Sequence, residues 1–124
     1  MHNQMEISEF VGKTFTLIKG CVSQNDSIEF YTDSEVIKMY HSQDCCESVY
    51  LDDVVGDPND LIGTPIVEAY QEDSTNVPVK DDYEDSFTWT FYRLRTVKGT
   101  VTLKWYGSSN GYYSESVDID SRPL

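Results

Sequence analysis

The stretch Ser86-Phe-Thr-Trp-Thr-Phe-Tyr-Arg-Leu-Arg-Thr96 constrains this chain more than any other part of it. Thr, Trp, Phe and Tyr all prefer a pleated sheet. Val97-Lys98-Gly99 follows as a tight turn, and Thr100 to Tyr106 reads as the partner strand, with Val101, Leu103 and Trp105 on one face. Phe87, Trp89 and Phe91 share one face of the first strand. Whether those two rows meet depends on the length of the turn, because a slip of one residue flips the face. Aromatic side chains on both sides of one strand require cover on both sides. That requirement points to a curled sheet, a small barrel or a sandwich.

The rest of the chain reads as shorter β segments. Ser8 to Lys13 has the pattern of a helical turn closed by Gly12. Alternation around Phe15, Leu17 and Cys21, around Ile28 and Phe30, and through Glu35 to His41 predicts a β-meander over residues 14–41. Leu51, Val54 and Val55 are spaced for one or two helical turns rather than a strand. Asp57-Pro58 predicts another turn, because Asp caps and Pro fits a first helical position; Gly63 ends it. Pro65 to Tyr70 is expected as a strand, residues 71–85 as a long mobile loop, Tyr112 to Ile119 as the last strand, and 120–124 as a tail. The expected fold is mainly β, with short helical pieces and about seven antiparallel strands. It forms a single domain over residues 1–124, with flexible termini at 1–7 and 120–124.

Composition narrows the classes of function. A chain of 124 residues buries enough surface for one core. No stretch approaches a membrane span, and Met1 to Phe10 lacks the basic and apolar regions of a signal peptide. Three cysteines (Cys21, Cys45 and Cys46) make a poor disulfide framework, so all three are expected as reduced thiols in a cytosol. Nine basic residues against twenty-two acidic ones give a net charge of −13. Direct binding to nucleic acid or to an anionic membrane is therefore not expected. The charge is uneven. Residues 44–60 hold six acids and no Lys or Arg, whereas residues 86–113 hold no acid but carry Arg93, Arg95, Lys98 and Lys104.

Three segments carry side chains with chemistry. His41-Ser42-Gln43-Asp44-Cys45-Cys46-Glu47 gathers an imidazole, a carboxamide, two thiols and two carboxylates at a strand end. A zinc site would need a second Cys/His cluster, which the chain lacks. A Cys nucleophile with His41 as base has nothing to mark an oxyanion hole. The plainer reading is a packed cysteine in a sharp turn, with His41 and Asp44 satisfying backbone groups. Asp52 to Asp60 has carboxylates but not the calcium-loop spacing, and helix capping explains the same residues. Trp105 to Ser116 contains the hairpin signal Asn110-Gly111, and its Tyr and Ser content suits a recognition surface as well as a hairpin. No phosphate loop, dinucleotide fingerprint, nucleophile elbow or zinc-protease motif is present.

Two blocks of sequence have a familiar form. One runs from His41-Ser-Gln-Asp-Cys-Cys-Glu-Ser-Val-Tyr-Leu-Asp-Asp-Val-Val-Gly-Asp57 to Asp60-Leu-Ile-Gly63. The other is Ser86-Phe-Thr-Trp-Thr-Phe-Tyr92, followed by Lys98-Gly99 and Trp105-Tyr-Gly-Ser-Ser-Asn-Gly-Tyr-Tyr-Ser-Glu-Ser-Val117. Together they resemble a family of small bacteriophage and prophage proteins of unknown function, over roughly residues 10–119. The resemblance implies a viral protein acting in the cytoplasm of a bacterial host, and it implies no mechanism.

The leading expectation is a non-enzymatic binding protein that neutralises a host or anti-phage defence component, with its acidic surface mimicking a polyanion. The alternative is a binder of a small anionic, nucleotide-like ligand. A thiol- or metal-dependent enzyme ranks last, and no cofactor or metal is assigned. The candidate binding residues are His41, Gln43, Asp44, Cys45, Cys46, Glu47, Arg93, Lys104, Ser109, Asn110, Tyr112, Tyr113 and Glu115.

Overall fold

A computed structural model of the chain describes residues 3–74, 86–110 and 113–124. Nine strands lie along the described residues: β1 (Asn3–Gln4), β2 (Leu17–Lys19), β3 (Ile28–Tyr31), β4 (Glu35–Tyr40), β5 (Ser48–Val55), β6 (Glu68–Ser74), β7 (Ser86–Thr96), β8 (Gly99–Ser109) and β9 (Asp118–Pro123). Two 3₁₀ turns, Ile7–Phe10 and Pro58–Leu61, accompany them. The strands form a five-stranded sheet of order β1-β9-β4-β3-β2 and a four-stranded sheet of order β5-β8-β7-β6. All strand pairs are antiparallel. The mainly β, sandwich-like reading therefore holds.

The core lies between the sheets. On β3 and β4, Ile28 and Phe30 sit opposite Met39 and Ile37, so period-two alternation gives one apolar face. Phe10, Phe15 and Phe30 contact one another with ring centroids 5.0–5.6 Å apart. The second sheet contributes Leu51, Ala69, Tyr92, Leu94, Val101, Leu103 and Trp105 to the same cluster. Cys21 is buried with them, and burial pushes its thiol pKa up to about 11.

The two-residue turn at Val97 and Lys98 decides the hairpin register. Leu94 pairs with Val101, Tyr92 with Leu103, and Thr90 with Trp105. Val101, Leu103 and Trp105 thus share the core face with Tyr92 and Leu94. Phe87, Trp89 and Phe91 lie on the other side, so the two rows do not meet. There Tyr106 packs 4.6 Å from Trp89, and both are buried. Both faces of β7 are covered, as its sequence requires.

Four sequence expectations are corrected. Leu51, Val54 and Val55 lie in β5 rather than in a helical turn. The register shifts between Leu51 and Asp53. This β-bulge inserts one residue and puts Leu51 and Val54 on the same side, which imitates helical spacing. The strand expected from Pro65 runs instead from Glu68 to Ser74, so residues 71–74 belong to β6; residues 75–85 of the expected loop lie outside those described. The last strand is Asp118–Pro123, not Tyr112 to Ile119. Far from being a tail, residues 120–123 sit in the sheet between β1 and β4.

Candidate functional site

At one end of the sandwich the core face of the second sheet turns from apolar to polar. Along β7 the inward row runs Leu94, Tyr92, Thr90, Thr88. Beside it the inward row of β6 runs Ala69, Gln71, Asp73, paired in that order with Leu94, Tyr92 and Thr90. The segment 113–117 crosses this end and closes a cavity of about 270 Å³, lined among others by Asp73, Thr88, Thr90, Tyr92, Glu115 and Val117.

Two contacts fix that segment. Glu115 accepts hydrogen bonds from Thr88 Oγ1 at 2.9 Å and Ser109 Oγ at 2.6 Å. The absence of a side chain at Gly107 permits this approach. A Cβ there would lie 2.7 Å from the Glu115 carbonyl oxygen, closer than any ordinary contact. The second contact is His41, whose Nδ1 lies 2.7 Å from the Ser116 carbonyl oxygen.

His41 belongs to a closed polar knot. Its Nε2 lies 2.7 Å from Glu47 Oε2, and neither side chain is more than 3% exposed. The backbone N–H groups of Asp44 and Cys45 donate to the two carboxylate oxygens of Glu47, each at 2.9 Å. Gln43 Nε2 donates to the Glu47 carbonyl at 2.6 Å and to the Cys45 carbonyl at 3.2 Å. Ser42 N–H donates to Asp118. Burial alone would raise the Glu47 pKa. The Cys45 N–H, the His41 ring and the remaining backbone donors outweigh it and hold the value at about 2. Both neighbours of the His41 ring, a carbonyl oxygen and an ionised carboxylate, only accept hydrogen bonds. Beside an ionised Glu47, both ring nitrogens donate only in the imidazolium, the form this geometry favours. Burial would lower its pKa, but Glu47, the Ser116 carbonyl and the charge of Asp118 raise it instead.

This arrangement revises the chemistry expected of residues 41–47. A disulfide joins Cys45 to Cys46, so the expectation of three reduced thiols is corrected; Cys21 is the free cysteine. The backbone wraps around one carboxylate, which brings the two neighbouring side chains together. Both ring nitrogens of His41 are already engaged, and the two exposed sulfurs are joined to each other. The packed cysteine is Cys21, while Cys45 and Cys46 face outward.

The remaining candidates divide. Ser109 and Glu115 join the cavity end, as given above, and Tyr113 is half-buried beside them in sequence. Asn110 is exposed, and Tyr112 lies outside the described residues. Arg93 and Lys104 sit in the opposite row of the sheet: Arg93 reaches Glu72 at 3.5 Å, and Lys104 pairs in register with Asp53 and Phe91. They do not share a face with the cavity. Sequence reasoning missed Asp73, Thr88, Thr90 and Tyr92. The signal available was the polar turn of the inward β7 row, legible only once the hairpin register is known. Among the described residues, no three His, Cys, Asp or Glu side chains gather as a metal-ligating group. Among them, also, no helix is long and apolar enough to cross a membrane.

Comparison with curated proteins and with solved structures finds no match. A family profile does match, over residues 8–119, which takes in the knot, the four-stranded sheet, β2 to β4 and the wall of the cavity. The chain belongs to that family, the domain of unknown function DUF7448.

Proposed function

We propose that this protein acts by binding rather than by catalysis, and that its partner presents a basic surface. One observation carries the reading: seven of the eight Lys and Arg side chains among the described residues are already engaged, while carboxylates remain in large excess. Lys13, Arg93, Arg95 and Arg122 pair with Glu35, Glu72, Glu68 and Glu29 at 2.8–3.8 Å. Lys98 donates to the Ile62 carbonyl at 2.6 Å. Lys19 and Lys38 lie over the rings of Tyr31 and Tyr40, and Lys104 stands across from Asp53.

Such surface pairs add little stability, but they neutralise the cations locally. The cationic hairpin is thus no separate basic pole, since the acids of β6 lie along its arginines. What remains is a field of one sign, set by a net charge of −13. A field of that kind accelerates and orients association with a basic partner. The same geometry weakens the anionic-ligand alternative, because Arg93 and Arg95 are paired and both they and Lys104 lie away from the cavity. The thiol-enzyme alternative loses its base and its nucleophile in the knot. The phage-like sequence blocks extend the reading to a host or defence protein in an infected bacterium, whose nucleic-acid groove the acidic surface would occupy.

The test is capture from bacterial lysate at low and high salt, followed by competition of the purified complex with duplex DNA. The expected result is a nucleic-acid-binding partner that DNA displaces. Its affinity should fall at least tenfold between about 50 and 200 mM salt. A complex indifferent to both salt and DNA, or no specific partner at either salt, overturns the proposal.

A further inference from the structure

We infer that the cavity formed by β6, β7 and the segment 114–117 binds an organic cation, a guanidinium or primary ammonium group. Asp73 and Glu115 would hold it over the hydroxyls of Tyr92 and Thr90. The inference deepens the basic-partner reading, on which it rests for the sign of the ligand. A partner's Arg or Lys side chain is one source of such a group, and a free alkylguanidine or amine is the other.

Among the described residues the lining carries two carboxylates and no Lys, Arg or His. Carboxylates alone would be an ordinary acidic surface. The second observation is Tyr92. It is 2% exposed and lines the cavity, and its hydroxyl has no hydrogen-bond partner among the described residues. Thr90, 5% exposed, lines the same wall with its hydroxyl likewise unpartnered there. Buried polar groups in native proteins are satisfied by protein, water or ligand. The Tyr92 and Thr90 hydroxyls are not among the fully enclosed unpartnered atoms, which in the described residues are those of Thr64, Trp89 and Trp105; they belong to buried residues that line one accessible space.

Glu115 is already oriented. Thr88 and Ser109 each occupy one lone pair, one on each carboxylate oxygen, so a further acceptor site remains on both. A carboxylate held in this way presents the planar pair of acceptors that guanidinium matches. Asp73 is oriented in turn by Gln71 Nε2, at 3.1 Å. The electrostatics agree in sign: after burial, the charges of Asp73, Asp118 and Glu6 push the Tyr92 pKa up. A volume of about 270 Å³ suits a short alkyl cation. The Tyr92 ring and Val117 offer apolar contact to its stem. Among the described residues no three His, Cys, Asp or Glu side chains gather here as they would around a metal ion.

The experiment titrates the protein with ethylguanidinium, n-butylammonium, the peptide Gly-Arg-Gly and neutral N-ethylurea, followed by calorimetry and by amide chemical shifts. Saturable binding of the cations, with none of N-ethylurea, is expected. Asp73→Asn should weaken it about tenfold and Tyr92→Phe about threefold, in line with the loss of a charge-assisted and a neutral hydrogen bond. Asp26→Asn, on an exposed loop outside the lining, should change nothing. Preference for Gly-Arg-Gly identifies a partner side chain as the source, and preference for the small amines identifies a free ligand; either supports the site. No saturable binding, equal binding of N-ethylurea, or affinities unchanged in the Asp73→Asn/Tyr92→Phe double variant overturns it. The two proposals fail separately. A salt-sensitive, DNA-displaced partner together with no saturable binding of any of the cations leaves the acidic surface standing and removes the cavity.

Discussion

The turn at residues 41–47 and the cavity beside β6 and β7 both lean on the segment 113–118. The turn holds Ser116 through His41, and the cavity holds Glu115 through Thr88 and Ser109. Both are rich in polar side chains, yet they are built in opposite ways. In the turn every donor and acceptor around Glu47 is matched, and the charges cancel within one contact. In the cavity, hydroxyls and carboxylate lone pairs are left over. A buried polar group that is fully satisfied does structural work, because removing any member strands the others. One that is poised but unsatisfied is available to a ligand. The comparison moves the functional weight from the segment whose residue types looked most chemical to one whose residue types looked ordinary.

The sharpest way to break this comparison is to substitute both regions and compare stability. Glu47→Ala strands the His41 imidazolium and two backbone N–H groups, and a loss in Tm on the order of 10 °C is expected. Asp73→Asn should leave Tm within about 2 °C, as for surface substitutions generally. If thermal melts show the reverse order, the roles assigned to the two regions are exchanged.

The knot should also impress its titration on stability. Glu47 has its folded pKa lowered from 4.5 to about 2. Its contribution is present above about 4.5 and is lost as pH falls toward 2. His41 has its folded pKa raised above 6.5. Its contribution is full below 6.5 and is lost as pH rises through the folded value. Asp118 adds negative charge beside His41 from β9. Stability from this pair is therefore greatest between about pH 4.5 and 6.5 and falls by several degrees of Tm on either side. His41→Gln should flatten the alkaline limb. An alkaline limb unchanged in that variant contradicts an imidazolium at position 41.

A smaller effect belongs to the wall of the cavity. Thr88→Val keeps the shape and removes one hydrogen bond to Glu115, for a cost of about 1 kcal/mol in a denaturant titration. Exchange of the amides at 114–117 should quicken, while those of the knot stay protected. The smallest effect is expected at the sulfurs. A bridge between adjacent residues closes almost no chain, so it removes little entropy from the unfolded state. The donors to Glu47 are backbone groups that keep their places without it. Replacing Cys45 and Cys46 together by Ser should shift Tm by less than about 2 °C, and a larger loss would make the bridge a working part of the knot.

Local chemistry by itself determined a good part of this protein. Alternation in Ile28–Tyr31 and Glu35–Tyr40, the aromatic run from Ser86 to Thr96, and Asp57 capping Pro58–Leu61 each carry their structure within a few residues. The acid excess is likewise a property of composition. The tertiary structure decided what depends on partners far along the chain. The bulge after Leu51 makes a strand look helical. β9 buries only Ile119 of its six side chains, so its place is settled by backbone pairing with β1 and β4, which no local pattern records. The cavity exists because Gly107 admits Glu115 and because the hairpin register turns Thr88, Thr90 and Tyr92 to the same side as Asp73. Register and close approach are relations between distant segments, and residue types read one at a time do not contain them.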